Sequence, residues 1–203
     1  MPQPTTMKDQ IINVAIDLFS ARGFNGTSIR DISAATGMSI SNIYHYFVNK
    51  EGLLLAILQR SSRRLLDELR QVCGMDLEPL DRFEALLETH IHLCREFGKE
   101  TKIFFLDEEH LSPEGNEINL QIQREVLAIY LGQLRELERL GYVHCRSLTV
   151  LAFNILGVIN WHLRWYRPDG ALSHDETSEQ MISFILRGVL GTQAEQAIPE
   201  SFD

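Results

Sequence analysis

A short polar segment holds the side chains in this sequence that are best suited to hydrogen-bond a ligand. Ser41 and Asn42 carry a hydroxyl and an amide that match the edges of DNA bases, and asparagine pairs well with adenine. Tyr44 and Tyr46 carry hydroxyls that can reach phosphate oxygens. Lys50 stands where a further helix is predicted to begin, so its ammonium and the first N–H groups of that helix would hold one phosphate together. These residue types indicate contact with nucleic acid.

The segment before these residues predicts a short helix that supports them. Thr27 or Ser28 can cap it, and Ser28 with Asp31 three positions later forms a Ser-x-x-acid capping signal. Apolar residues recur there at helical spacing, at Ile29, Ile32 and Ala35. Gly37 can adopt the positive φ that ends a helix. The helix therefore presents one apolar stripe to a core.

A second short helix follows directly. Ser39 can cap it, and Ile43 and Phe47 lie four residues apart, so both can pack inward. The polar side chains of the segment are then left on the outside. A helix, a glycine turn and a second helix with a polar face are typical of a helix-turn-helix, whose second helix lies in the DNA major groove. The alternative is a small helical hairpin with an aromatic cluster and no DNA contact.

The sequence from about Met7 to Leu55 resembles the DNA-binding domain of the TetR/AcrR transcriptional regulators. The resemblance covers about a quarter of the chain. It rests on a spaced series of residues: Ala15, Leu18, Phe19, Gly23, Phe24, the run 27–32, the run 37–39, the run 43–47, Lys50 and Glu51. The family often has a basic or glycine pair where this sequence has Ile40 and Ser41. The base sequence that is read therefore does not follow from the resemblance.

The resemblance implies a role for each matching position. Five residues would face the bases: Arg30, Ile40, Ser41, Asn42 and His45. Five others would hold phosphates: Thr27, Ser28, Tyr44, Tyr46 and Lys50.

The charge of the chain does not favour a nucleic-acid partner at long range. The formal net charge is −9, but residues 1–52 are neutral, so the surplus acid lies beyond them. Attraction to DNA from a distance would therefore be weak, and contacts must be local. We expect appreciable binding only for a homodimer on a two-part site.

The remaining sequence predicts an all-α protein of about nine helices. Beyond the helix-turn-helix, helical spacing predicts helices over 7–22, 49–73, 79–97, 102–110, 112–140, 147–166 and 173–190. We expect a three-helix DNA-binding domain over residues 1–52 and a larger effector-binding and dimerisation domain over 53–203. Residues 193–203 show no periodicity and are predicted to form a frayed tail.

Several other classes of protein are disfavoured. No apolar run approaches the ~20 residues that span a bilayer, and no signal peptide is recognisable, so we expect a cytoplasmic protein without membrane contact. Cys73, Cys94 and Cys145 have no CxxC spacing, which predicts reduced core thiols. We expect no cofactor, and the chain offers no acid/base set or activated nucleophile that would predict an enzyme.

One histidine-rich helix invites a metal site. Glu88 with His92, and His90 with Cys94, each lie four residues apart, but the two pairs lie on different faces of the helix. Two ligands on each face do not form a closed site. We therefore predict no metal and expect buried or half-buried histidines.

The last two predicted helices carry more apolar surface than one core can use. Residues 147–166 are hydrophobic on nearly all sides, which requires cover on all sides. Gly157 and Gly188 would allow close approach of another helix. We predict a two-fold dimer interface built from these helices, the alternative being two internal core helices.

One group of side chains in this region is suited to an effector. Trp161 and Trp165 share a helix face, and Arg164 lies beside them, so they could stack on a planar group and hold an anion. Phe104 and Phe105 complete the predicted effector-binding set. The alternative is core packing with a cation–π contact at a helix end. The run from Asn160 to Gly170, with the acidic helix after it, resembles family members that respond to fatty-acyl or steroid-acid coenzyme A thioesters.

Together these features predict a ligand-responsive DNA-binding transcriptional regulator. The predicted protein is a homodimeric repressor that a small apolar or acyl-CoA-type effector releases from a palindromic operator. The alternative is a DNA-binding regulator with no small-molecule effector, which a partner protein controls or which acts constitutively.

Overall fold

The computed structural model describes residues 6–167 and 169–190, apart from the side chains of Phe105, Leu106 and Leu163. Over these residues the chain forms nine α-helices and a short 3₁₀ turn, which confirms the predicted all-α fold. The helices are α1 Met7–Arg22, α2 Ile29–Thr36, α3 Ile40–Tyr46, α4 Lys50–Cys73, α5 Pro79–Glu96, α6 Gly98–Asp107, α7 Pro113–Arg139, α8 Leu148–Trp165 and α9 His174–Val189, with the 3₁₀ turn at Glu108–His110. The predicted tail at 193–203 lies outside the described residues.

Two compact units make up the chain. The first unit contains residues up to 65 together with 96–124, and the second contains 66–95 and the residues from 125 onward. The predicted boundary after residue 52 separates functions, whereas these two units are separated by packing. The functional boundary therefore stays a prediction.

The first unit is built around the helix-turn-helix. α1 packs against α2 and α6, and α2 packs against α3. Fully buried apolar side chains from α1 to α4 form its core: Ile11, Ala15, Phe19, Ile32, Ile43, Leu54, Ile57 and Leu58. This core fixes the two short helices, which would be marginal in isolation.

Local signals set the ends of α2 as the sequence predicts. Ser28 is the N-cap residue, and its hydroxyl accepts the Asp31 N–H at 3.2 Å, while the Asp31 carboxylate accepts the Ser28 N–H at 2.7 Å. The Ser28 hydroxyl also donates to the Asp31 carboxylate, and this bond, together with the one from the Ser28 N–H, holds the pKa of Asp31 below its ordinary value. Gly37 ends the helix in the left-handed region, at φ 69°, where a side chain would be strained.

The second unit has a mixed apolar and polar core. Its fully buried apolar side chains come from α4, α5, α7 and α8, and they include Leu69, Phe83, Leu86, Leu87, Leu134 and Ile159. His90 of α5 and Tyr130 of α7 are buried among them, with 2.8 Å between His90 Nδ1 and the Tyr130 hydroxyl. This bond satisfies two polar groups that would otherwise be costly to bury.

Two predictions about individual elements need correction. Helix α6 begins at Gly98, four residues earlier than predicted, because the break falls at Phe97, whose φ and ψ are −101° and 36°. The three cysteines are free, but only Cys94 is buried, whereas Cys73 is half-buried and Cys145 is exposed. Burial raises the pKa of Cys94 to about 12, so that thiol is inert near neutral pH.

The described residues were compared with two requirements, those of a membrane-spanning helix and those of a metal site. None of their helices is long and apolar enough to cross a bilayer. Among the same residues, no group of three or more His, Cys, Asp or Glu side chains is placed to hold a metal ion.

Candidate nucleic-acid interface

Helix α3 has a buried side and an exposed side. Ile43 is fully buried and Phe47, directly after the helix, is buried as well, so these two residues anchor α3 to the core. Ser39 caps the helix by accepting the Asn42 N–H at 3.2 Å. All the predicted contact residues on α3 are exposed: Ile40, Ser41, Asn42, Tyr44, His45 and Tyr46. The exposed side of α3 therefore carries hydroxyl, amide and imidazole groups that a binding partner can reach.

The residues around the start of α2 divide into surface and core. Arg30 and Ser28 are exposed, and the Ser28 hydroxyl also forms the cap of α2. Thr27 is only 1% exposed, and its hydroxyl donates to the carbonyl oxygens of Gly23 at 3.1 Å and Leu18 at 3.3 Å. The sequence predicted a phosphate contact for Thr27, but this hydroxyl lies in the core and braces the end of α1.

Lys50 also turns inward. Its ammonium donates to the carbonyl oxygens of Phe24 at 2.8 Å and Thr27 at 3.0 Å, and it lies 4.0 Å from the centre of the Phe24 ring. Burial lowers the pKa of Lys50, and the nearby Asp107 carboxylate opposes that shift. Two of the three N–H donors of the predicted phosphate-binding residue are thus directed at the protein's own backbone.

Side chains from residues 107–112 hold the same part of the first unit, and sequence reasoning missed them. The Asp107 carboxylate accepts the Phe24 N–H at 3.2 Å, and the Asn25 amide donates to His110 Nε2 at 2.7 Å. The Ser112 N–H donates to the Glu51 carboxylate at 2.7 Å. The Ser112 side chain and this N–H together hold the pKa of Glu51 below its ordinary value. No local pattern in the sequence signals these bonds, because the partners are 61 to 85 positions apart.

Glu108, directly after α6, is half-buried. Glu108 accepts from the side-chain amides of Asn119 at 3.2 Å and Gln123 at 3.4 Å. Its burial raises its pKa, and these two bonds oppose that rise. Glu108 therefore links the 3₁₀ turn to α7 within the first unit.

The predicted effector residues belong to two different units. Trp161 and Trp165 on α8 are 62% and 52% exposed, so the alternative of core packing does not describe them in the single chain. The Arg164 guanidinium carbon lies 5.4 Å from the centre of the Trp161 ring, which is a cation–π contact. Phe104 belongs to the first unit and packs against its core, and the side chain of Phe105 lies outside the described residues.

The two tryptophans are part of a longer apolar stripe. Val150 and Phe153 are 58% and 56% exposed and lie on the same face of α8 as the tryptophans, since the positions 150, 153, 157, 161 and 165 repeat at helical spacing. We call Val150, Phe153, Trp161 and Trp165 the α8 stripe. Phe184 on α9 is also exposed, at 66%. Large apolar side chains grouped in this way are unusual on a monomer surface.

Two family models match the sequence. The model of the bacterial regulatory proteins of the tetR family matches residues 11–57, and the model of the tetracyclin repressor-like C-terminal domain matches residues 76–189. The chain belongs to the TetR family. It is therefore a DNA-binding transcriptional regulator and not an enzyme.

Relatives and solved structures agree with this assignment. The HTH-type transcriptional repressor KstR2 of Rhodococcus jostii (strain RHA1) is 27% identical over 184 residues, which are 90% of each chain. A TetR-family regulator from Bordetella parapertussis 12822 is 28% identical, with a TM-score of 0.78 over 93% of this chain and 100% of that one. AibR, solved in complex with isovaleryl coenzyme A and operator DNA, is 26% identical, with a TM-score of 0.78 over 90% of this chain and 97% of its own.

Proposed function

We propose that this TetR-family protein is a homodimeric repressor that binds a palindromic operator and leaves it when an acyl-CoA-type effector binds. The exposed polar face of α3, anchored from behind by the buried Ile43, carries the DNA-binding part of this proposal. The proposed division of labour places DNA binding in residues 1–52 and effector binding and dimerisation in residues 53–203.

The proposed base contacts come from α2 and α3. They are Arg30, Ile40, Ser41, Asn42 and His45, all of which are exposed. Ser28, Tyr44 and Tyr46 are exposed beside them and are proposed to contact phosphates. Thr27 and Lys50 support this face from within, because their polar atoms bond to backbone carbonyl groups.

The proposed dimer forms through α8 and α9. Val150 and Phe153 of the α8 stripe, together with Phe184, expose large apolar side chains that a second copy would cover. Covering them would remove the cost of leaving this surface in water. A dimer would also present two α3 helices, spaced about one DNA turn (~34 Å) or a multiple apart for successive half-sites.

The proposed effector is a coenzyme A thioester held near Trp161, Arg164 and Trp165. Arg164 offers a guanidinium for an anionic group, and the indole rings offer stacking surface for a planar one. A groove of about 520 Å³ between α5 and α9 is a poorer site for the phosphates of coenzyme A, since its three carboxylates outnumber its one guanidinium, that of Arg187. The carboxylates are those of Glu84, Glu88 and Glu179. That AibR was solved with an acyl-CoA supports the choice of ligand class.

The experiment is a titration of the protein onto labelled DNA from upstream of its own gene at fixed salt. Isovaleryl-CoA and palmitoyl-CoA are the probes, and free coenzyme A is the control. Release by a thioester, but not by free coenzyme A, would support the effector class. By linkage, operator DNA must then weaken thioester binding by the same factor. DNA binding that no thioester reverses would favour a regulator without this effector.

A further inference from the structure

A buried carboxylate of α6 holds the turn that leads into the helix-turn-helix. Asp107 is the last residue of α6 and is 6% exposed, and its Oδ1 accepts the N–H of Phe24 at 3.2 Å. Phe24 is itself buried, at 8% exposed. We call residues 24–27 the Phe24 turn. It ends one residue before Ser28, the N-cap of α2, so its position sets where α2 starts.

A half-buried ammonium, that of Lys50, holds the same turn through its other backbone groups. Lys50 Nζ donates to the carbonyl oxygens of Phe24 and Thr27, at the first and last residues of the Phe24 turn. The Phe24 N–H is thus bonded to a carboxylate while the Phe24 carbonyl is bonded to an ammonium. Hydrogen bonds with one ionised partner are roughly twice as strong as neutral ones.

Removing the charges of Asp107 and Lys50 from water, even in part, costs free energy of folding. An ionised group that leaves water is disfavoured unless partners compensate it, and an apolar pair of similar volume is often as stable or more so. Here the compensation comes from backbone groups of one turn, and the two charges attract each other, as the influence of Asp107 on the pKa of Lys50 indicates. The hydrogen bonds from Asp107 and Lys50 fix the position of the Phe24 turn, which an apolar pair at these two positions would not do.

We propose that Asp107 and Lys50 are positioning residues for operator binding, which fix the Phe24 turn, and that Lys50 acts through the protein's own carbonyl groups and not through a DNA phosphate. This inference rests on the proposed DNA-binding face of α2 and α3. It extends that face to a residue of α6, which lies outside the helix-turn-helix in the sequence.

The salt dependence of DNA binding tests the role of Lys50. Each phosphate contact contributes about 0.9 to the slope of log K against log salt, so losing a contact lowers the slope by that amount. Lys50→Met keeps the apolar stem over the Phe24 ring and removes the ammonium. We expect about tenfold weaker binding with an unchanged slope. A slope lower by about 0.9 would overturn the inference for Lys50. Arg30→Met, at an exposed cation proposed to contact a base, is the comparison expected to relax base preference.

Two variants of Asp107 test the carboxylate. Asp107→Ala removes the acceptor and should weaken operator binding about tenfold, and Asp107→Asn keeps an acceptor oxygen and should restore part of that loss. The matched control is Asp17→Asn, since Asp17 joins α1 to Lys99 of α6 at 2.5 Å but is 64% exposed at its side chain. An exposed pair contributes little, so this control should bind the operator like the wild type.

These measurements belong well below the melting transition, where a loss of stability alone leaves the protein folded and its operator affinity unchanged. Wild-type affinity for both Asp107 variants would overturn the inference for Asp107. Amide hydrogen exchange gives an independent readout, because the Phe24 amide should exchange faster in Asp107→Ala and keep its rate in Asp17→Asn. Wild-type protein that binds no DNA would overturn the proposed function, whereas unchanged Phe24 exchange would overturn the bond itself.

Discussion

Acidification should charge one buried histidine and destabilise the second unit. His90 is 3% exposed, and its Nδ1 bonds to the buried hydroxyl of Tyr130. Burial lowers the pKa of His90 from 6.5 to about 4, and the nearby His162 adds to that shift. The neighbouring titratable groups are the His162 imidazole of α8, the Tyr130 hydroxyl of α7 and the Cys94 thiol of α5, and none of them carries a negative charge near neutral pH that would stabilise an imidazolium.

The direction and size of the effect follow from the two pKa values. The unfolded chain takes up the proton near pH 6.5, whereas the folded chain resists it until about pH 4, so stability falls as the pH falls through this window. The difference of roughly 2.5 units corresponds to about 3 kcal/mol when the titration is complete. Near pH 5 the loss is about 2 kcal/mol, since the folded state is still almost unprotonated there.

The assay is denaturant unfolding at a series of pH values, followed by tryptophan fluorescence. Trp161 and Trp165 are the two tryptophans of the chain and both lie in the second unit, so the signal reports that unit. His90→Asn places an amide near the former Nδ1 and removes the titrating group, and the exposed His144→Asn is the matched control. His90→Asn should be less stable than the wild type near pH 7.5, and the gap should narrow by about 2 kcal/mol near pH 5. The reasoning would be refuted if the unfolding free energies of the wild type and of His90→Asn changed in parallel between pH 7.5 and pH 5.

Three further predictions address the DNA-binding face and the dimer. Asn42→Ala should cost about 1–3 kcal/mol on the preferred operator and relax base preference at one position, as band-shift titrations against single-base operator variants would measure. Ser39→Ala removes the cap of α3 and should lower the unfolding free energy by about 1 kcal/mol in chemical denaturation, with Ser41→Ala as a control at an exposed position inside the helix. Phe153→Glu places a charge in the α8 stripe and should halve the mass seen by sedimentation, whereas Val48→Glu, at a 90% exposed site of the first unit, should leave it unchanged.

The ends of the two helices of the helix-turn-helix could be predicted from the sequence, because local signals set them. The capping pair Ser28 and Asp31, the glycine at 37 and the cap Ser39 each act within four residues, so their effects can be recognised in the sequence. The exposure of the α3 contact residues also follows from the inward spacing of Ile43 and Phe47. For these positions the structure agrees with the sequence because tertiary contacts and local preferences favour the same conformation.

Other features depend on contacts between distant parts of the chain. The inward turn of Lys50 could not be predicted, because the carbonyl groups it meets are set by how α1 ends and not by the residues around position 50. Asp107 stands in an acidic run that resembles a solvated helix end, yet its partner is 83 positions away. The His90–Tyr130 bond likewise joins two helices whose sequences only indicate that each side is apolar.

The two-sided build of α3 has a consequence for how this protein could change over time. Ile43 and Phe47 bear the packing of the helix, while Ser41, Asn42 and His45 have no role in the core. Substitutions at the outer positions are therefore nearly free of a folding penalty, as surface changes usually are. A library randomised at these three positions should retain a folded majority and differ mainly in the DNA sequence that is recognised. New operator preferences can thus arise without passing through unfolded intermediates.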